Sequence, residues 1–289
     1  MVNQLKKMTK VLLMVLVVLV VAGGTYVGLN QWLKTPNFKT TQAKSIQQQA
    51  QKKIKKSVHL TAIGDSLTFG VGDATSSGGY VPLIKKEIEL SDQTSLTTQN
   101  FGVSGDTSVQ ILKRIQKQKK VQAGLAAADL ITMTVGANDL MHTIRNNISD
   151  IDLAKVNTAS ATYRKHLKQL LTAIRSENPK APIVVASIYD PFYVFFPKLT
   201  ALQQGMTKWN ETTQSVLKTF DHTYYVDIDG VMTQPKGSVL ATGKKNQTAS
   251  NPFLYTTDHF HPNNRGYQAI ANQLIKQIQS IKSTWLYEK

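Results

Sequence analysis

Three residue types that together make a hydroxyl reactive stand far apart in this sequence. Ser66 lies in the run Ala62-Ile63-Gly64-Asp65-Ser66-Leu67-Thr68, and Asp258 and His261 lie in Asp258-His259-Phe260-His261. A serine hydroxyl is a weak nucleophile until a base takes its proton, and an imidazole base needs a carboxylate to hold its ring and tautomer. An Asp and a His three residues apart on one short loop can bond each other while the ring faces a distant serine. The chemistry implied is nucleophilic attack on an acyl group.

These residues need a scaffold that carries residue 66 to residues 258–261. From Ser57 onward, short apolar runs alternate with amphipathic stretches. Strands are predicted at Val58–Ile63, Leu96–Phe101, Leu130–Val135, Ile183–Ile188 and Tyr224–Ile228. Helices are predicted at Tyr80–Leu90, Ser108–Gln118, Ala159–Glu177, Leu202–Phe220 and Asn264–Ile281. β-Rich runs separated by helices imply βαβ units and a mainly parallel sheet covered on both faces. Open α/β sheets bind ligands at the carboxyl ends of their strands. Ser66 follows the first strand, Asn100-Phe101-Gly102 ends the second, and Gly136-Ala137-Asn138-Asp139 ends the third. Asp258 and His261 precede the last helix, so all of these fall on one edge of the sheet. Taken singly, Gly64 and Gly102 read as turn residues and Asn138 as a turn amide; their coincidence at one edge is what points to chemistry. Asp65 and Asp139 read as bonding their own loops, and Asp106 as part of a helix N-cap. His59, His142, His166 and His222 show no ligand spacing.

Four blocks, Gly64-Asp65-Ser66-Leu67, Gly102 within Asn-Phe-Gly, Asn138 within Gly-x-Asn-Asp and Asp258-x-x-His261, resemble in order the motifs of the GDSL, or SGNH, hydrolase superfamily. The resemblance covers roughly residues 57–282, and the longer run Gly64 to Asp73 is similar to the small bacterial acylhydrolase and lysophospholipase branch. It implies a three-layer α/β/α, flavodoxin-like domain with a mainly parallel five-stranded sheet and no metal or other cofactor. It also implies ester hydrolysis through an acyl-enzyme, with Ser66 as nucleophile, His261 as base and then acid, and Asp258 orienting the imidazole. The oxyanion donors by this resemblance are the N–H groups of Ser66 and Gly102 and the side-chain amide of Asn138. The Asp-x-x-His register selects His261 and leaves His259 outside the triad. The α/β-hydrolases share the order Ser…Asp…His, but their Gly-x-Ser-x-Gly elbow is absent because Thr68 stands two after Ser66.

Substrate class stays open between a small-molecule ester, a lipid ester and an O-acetylated wall glycan, as does transfer of the acyl group to a sugar hydroxyl. Metal-assisted phosphoester hydrolysis is disfavoured because Val58–Ser66 lacks a paired Asp-x-His. A non-catalytic wall- or lipid-binding module would be expected to carry a broken triad. The aromatic run Tyr189-Asp190-Pro191-Phe192-Tyr193-Val194-Phe195-Phe196-Pro197 either lines an acyl pocket, faces a membrane or caps the core.

The 289-residue chain has no cysteine, which excludes disulfides, thiolate metal sites and a catalytic thiol. Its formal net charge of +16 is uneven, since residues 1–56 hold ten of the 34 basic residues and no acid. Basicity in a tail gives little support to nucleic-acid binding. Lys6, Lys7 and Lys10 precede an uncharged run from Val11 to Leu33, long enough for a transmembrane signal anchor whose leading lysines stay in the cytoplasm. The expected order is a cytoplasmic N-terminus 1–10, a membrane span 11–33, a Lys/Gln-rich tether 34–56 and a hydrolase domain 57–289 outside the cytoplasm, held at the cell membrane. The alternative is a signal cleaved near Ala22-Gly23-Gly24 and a secreted protein. The tether reads either as a solvated spacer or as a contact for anionic lipid or wall polymer.

Overall fold

Side chains that alternate along the strands divide the interior into two cores, one on each face of a sheet. The computed structural model describes residues 2–32, 53–146, 153–241 and 248–288. They fall into two compact units, residues 1–51 and 52–289. In the first, the apolar run forms a helix, α1 (Val2–Trp32). Its Leu13, Val17, Leu19, Val20 and Val27 side chains are exposed. Among the described residues, however, no helix is long and apolar enough to cross a membrane.

The second unit runs β1 (Ser57–Gly64), a one-turn helix α2 (Ser66–Phe69), α3 (Tyr80–Asp92), β2 (Ser95–Gly102), α4 (Ser108–Lys117), α5 (Lys119–Ala126) and β3 (Leu130–Thr134). It continues with α6 (Ala137–Asn146), α7 (Leu153–Glu177), β4 (Ile183–Ala186), α8 (Thr200–Leu217), β5 (Thr223–Val226), α9 (Asp229–Met232) and α10 (Asn264–Ser280). All five strands pair in parallel in the order β2-β1-β3-β4-β5, the flavodoxin-like arrangement. Val58, Leu60 and Ala62 of β1 face a core completed by Ile84 and Ile88 of α3 and by Ile270 and Leu274 of α10. Ile63, Met133 and Val185 face the opposite core, built with Ile111 of α4, Leu167 and Leu171 of α7 and Val216 of α8. The central strands are covered on both faces, which is why they read as nearly continuous apolar runs.

Three predicted strands end early, at Thr134 in β3, Ala186 in β4 and Val226 in β5. β4 ends at Ala186 although the Ser187 N–H still donates to Val226 O at 2.8 Å, and the Ser187 Oγ accepts the N–H groups of Ile228 and Asp229. Those two bonds hold the chain where it turns after β5. The helix predicted from Ala159 begins at Leu153. Lys53–Lys56, read from the sequence as the end of the tether, are stitched to the domain. Ile54 bridges Tyr287, the Lys55 N–H donates to Leu286 O at 2.9 Å, and Lys55 Nζ lies 2.5 Å from Asp129. The rest of that tether, residues 34–52, lies outside the described residues.

Candidate active site

Strand register sets the level of the site. Gly64 pairs with Gly102 on one side and with Thr134 on the other, so three adjacent strands release the chain together. After β1, Asp65 caps α2: its Oδ1 accepts the Leu67 N–H at 3.1 Å and the Thr134 hydroxyl at 2.7 Å. Ser66 is thus the first residue of a helix, where its N–H has no intrahelical partner. It is 5% exposed. Among the described residues its Oγ makes no hydrogen bond, one to His261 included; catalytic bonds of this kind often tighten only with substrate in place. Below the turn, Thr68 Oγ1 lies 2.8 Å from both Tyr80 Oη and Thr134 Oγ1. Burial pushes the Asp65 carboxyl up, against the bonds from Thr134 and Leu67. Asp65 is therefore a brace across to β3 as well as to its own turn.

Gly102 ends β2 against the backbone of α2. A Cβ there would stand 2.1 Å from Phe69 N and 2.5 Å from Thr68 C, so only glycine fits. Its N–H, expected as an oxyanion donor, donates to Asn100 Oδ1 at 2.9 Å, while Asn100 Nδ2 donates to Thr68 O at 2.6 Å. Asn138, the second residue of α6, gives one Nδ2 hydrogen to Asp106 O at 2.9 Å and, among the described residues, has no partner for the other.

Within the N-cap region read around Asp106, the capping residue is Thr107. Thr107 precedes α4 and bonds Gln110 Oε1 through both its N–H and its hydroxyl (2.9 and 2.8 Å). Asp106 instead pairs with Arg114, Nε to Oδ2 at 2.6 Å. The same guanidinium donates to Phe101 O at 2.8 Å and to Gly64 O at 3.0 Å. One side chain ties the ends of β1 and β2 to the residue whose carbonyl holds Asn138. Sequence reasoning missed Arg114, because two of its three partners are backbone carbonyls that leave no spacing signal. Asp139 bonds a neighbouring helix rather than its own loop, accepting the Ser108 N–H and hydroxyl at 2.9 and 2.5 Å. Burial pushes its carboxyl up.

Ahead of α10, Asp258 Oδ1 accepts the N–H groups of Phe260 (2.9 Å) and His261 (3.0 Å), and Oδ2 lies 2.6 Å from His261 Nδ1. Burial alone would raise Asp258, but the bonds from His261 and Phe260 outweigh it and hold the carboxyl below its ordinary range. An ionised carboxylate opposite Nδ1 keeps the proton on that nitrogen and leaves Nε2 bare as a base. The loop is fastened by the Tyr255 N–H to His261 O (2.7 Å), by Asn263 Nδ2 to Leu254 O (2.9 Å) and by the Tyr189 hydroxyl to Phe260 O (2.7 Å). His259, with φ at 51°, turns elsewhere and packs edge-on to Phe195 at 5.4 Å.

Asp65 and Leu67, on either side of Ser66, share one narrow crevice of about 20 Å³ with Phe260, the neighbour of His261. The Tyr267 hydroxyl bonds Val71 O at 2.7 Å, and a Cβ on Gly72 would stand 2.4 Å from Pro262 O. The segment after Ser66 and the His261 loop are therefore in direct contact. Ser66, Gly102, Asn138, Asp258 and His261 all stand at this edge. Of the aromatic run, Tyr189 is buried, whereas Phe192 and Phe196 line a separate pocket of about 490 Å³. Among the described residues no group of three or more His, Asp or Glu side chains is placed to hold a metal ion.

Residues 62–269 match the sequence profile of the GDSL-like lipase/acylhydrolase family. The Bacillus subtilis (strain 168) protein YpmR is 30% identical over 240 residues, 83% of this chain and 88% of that protein. The spore germination lipase LipC of Bacillus licheniformis is 25% identical over 223 residues, 75% of this chain and 94% of that protein. Among solved structures, the lipase Lip_vut3 from a goat rumen metagenome matches with a TM-score of 0.61 at 24% identity, over 75% of this chain and 95% of that one. At that identity the likeness shows the fold.

Proposed function

The chain belongs to the GDSL-like lipase/acylhydrolase family and is a hydrolase of ester bonds, and from this premise we propose that it cleaves carboxylic esters through an acyl-enzyme on Ser66, at the outer face of a cytoplasmic membrane. The observation that carries the chemistry is the 2.6 Å contact between Asp258 Oδ2 and His261 Nδ1, at the sheet edge where Ser66 opens α2. His261 Nε2 takes the Ser66 proton as Oγ attacks the ester carbonyl, then gives it to the leaving alcohol. Water, deprotonated by the same nitrogen, attacks the acyl-enzyme, releases the acid and restores Ser66. Negative charge on the carbonyl oxygen is met by the Ser66 N–H and the second hydrogen of Asn138 Nδ2. The Gly102 N–H joins them by sharing or leaving Asn100 Oδ1. A fluorophosphonate should label the wild-type chain, and Ser66→Ala should lose both labelling and turnover of nitrophenyl acetate. Labelling retained by Ser66→Ala would end this reading.

Membrane attachment rests on the uncharged run Val11 to Leu33 behind Lys6, Lys7 and Lys10 and on the helix and exposed apolar side chains of α1. The protein should fractionate with membranes, resist a high-salt wash and be cut free by protease added outside. Protection from that protease in intact protoplasts would refute the orientation. A soluble form beginning near Gly23–Thr25 would instead mean a cleaved signal.

A further inference from the structure

We infer that the 490 Å³ pocket bounded by α6, α8 and the aromatic run holds the acyl chain of the substrate, so that the protein prefers esters of fatty acids of about eight to twelve carbons over acetates; this rests on Ser66 being the nucleophile. Its walls include Leu140 and Ile144 of α6, Leu202 and Gly205 of α8, and Phe192 and Phe196. Arg145, exposed, is alone in carrying charge among the described lining residues. A sugar needs walls that exchange hydrogen bonds with its hydroxyls, and these walls offer almost none. An alkyl chain needs only volume. A methylene takes about the space of one water, about 30 Å³, so a dozen fit with room to turn.

The pocket is placed to receive what Ser66 holds. Asn138 and the pocket floor share α6, with Leu140 to Ile144 lying about 3 to 9 Å further along the helix axis. Phe192 packs on Phe260 at 5.8 Å, and Phe260 on His261 at 5.0 Å. The crevice beside Ser66 is closed by Ala137, Pro191 and Phe260, the first two adjoining α6 residues and Phe192 of the pocket wall. The Phe192–Phe260 pair therefore stands between crevice and pocket, a ring of each lining one of them. Phe196 and Leu199, 59% and 49% exposed, form an apolar lip.

Two measurements on the full chain separate a failed pocket from a failed nucleophile: kcat/KM for nitrophenyl esters from C2 to C16, and direct binding of lauric acid to Ser66→Ala. Each methylene removed from water is a factor of about four, so kcat/KM should climb with chain length to a maximum between C8 and C12, and lauric acid should bind. Gly205→Leu fills the pocket. A Cβ there meets Leu140 Cδ1 at 3.7 Å and Val156 Cγ1 at 4.0 Å, ordinary contacts that leave the backbone in place. The C10-to-C2 ratio of kcat/KM should fall about tenfold or more, and lauric acid binding should weaken in parallel. Should Gly205→Leu melt early, Phe196→Ala at the lip gives the same comparison, with the ratio again expected to fall. A series peaking at C2 without lauric acid binding overturns the pocket and leaves the esterase standing. An unchanged ratio in the folded Gly205→Leu protein does the same. Lauric acid binding without hydrolysis of any ester supports the pocket and removes the role of Ser66.

Discussion

Gly102→Ala asks whether the end of β2 sets the position of Ser66. The new methyl would lie 2.1 Å from Phe69 N, where ordinary contact begins near 3.4 Å, so the two segments must part by about 1 Å. Both atoms it meets first, Phe69 N and Thr68 C, are backbone of the helix that Ser66 opens. β2 cannot easily retreat, because Arg114 holds Phe101 O and Asn100 ties Gly102 to Thr68. The strain must therefore fall on α2. Overpacking of this kind costs about 1–3 kcal/mol, or a melting temperature lower by about 3 to 10 °C for a domain of this size. Activity should suffer far more. A misplacement near 1 Å costs on the order of 100-fold, and a lost oxyanion donor 100- to 1,000-fold. We expect kcat/KM on nitrophenyl acetate to fall by about 100- to 1,000-fold, mostly in kcat, with fluorophosphonate labelling slowed to match. Gly230→Ala, whose Cβ would meet Asp227 Oδ2 at an unstrained 3.6 Å, is the control. Near-wild-type turnover and melting in Gly102→Ala would show that this contact does not position Ser66.

Asp258→Asn should lower kcat on the order of 10,000-fold, because an amide no longer enforces the Nδ1–H tautomer of His261; a loss below tenfold would remove Asp258 from the mechanism. Arg114→Lys keeps the charge but not the fork that reaches Asp106, Phe101 O and Gly64 O, so kcat should drop about 10- to 100-fold through loosened Asn138 and strand ends, and a normal kcat would sever that link. Burial, with the Asp229 carboxylate adding to it, pushes Asp190 up to about 6 against backbone bonds from Phe192 and Tyr193. A raised carboxyl favours the folded state while protonated, so its contribution is lost as pH climbs from about 4 to 6, up to about 3 kcal/mol. Asp190→Asn should then raise the melting temperature at pH 7.5 by several degrees and hardly at pH 4.5, and an equal gain at both would refute the assignment.

What could be read from the chain before its structure follows from how local each signal is. Val58–Ile63 and the Asp258-x-x-His261 loop were legible because strand patterning and a three-residue spacing are written in adjacent residues. The cap at Thr107, within the region read around Asp106, was legible for the same reason: a threonine followed three residues later by Gln110 is a capping box. Helix α6 was not seen, because Asn138-Asp139 resembles a turn and its ten residues carry only a short apolar face. Without α6 there was no pocket to find. Arg114 and Asn100 escaped for a different reason. Besides Asp106 and the Gly102 N–H, their partners are the carbonyls Gly64 O, Phe101 O and Thr68 O, which any residue supplies, so little in the sequence marks the pairing until the strands are in register.

The same division separates the chemistry from the choice of substrate. Every group assigned to bond-making hangs on features that tolerate little change: Gly102 jammed against α2, Arg114 across two strand ends, Asp258 bonded to three groups of its own loop. The pocket shares only α6 with that machinery, along the helix past Asn138, and otherwise draws on α8 and the aromatic run after β4. These can be resized without touching the ends of β1 and β2, since the aromatic run reaches His261 through ring contacts with Phe260 and the Tyr189 hydroxyl. A fold-level likeness to a lipase at 24% identity is therefore informative about the edge that holds Ser66 and nearly silent about the acyl group. Size and lining of the cavity after β3 and β4 are where members of one fold can diverge. That is why chain-length preference, rather than further comparison of motifs, is the measurement that places this enzyme.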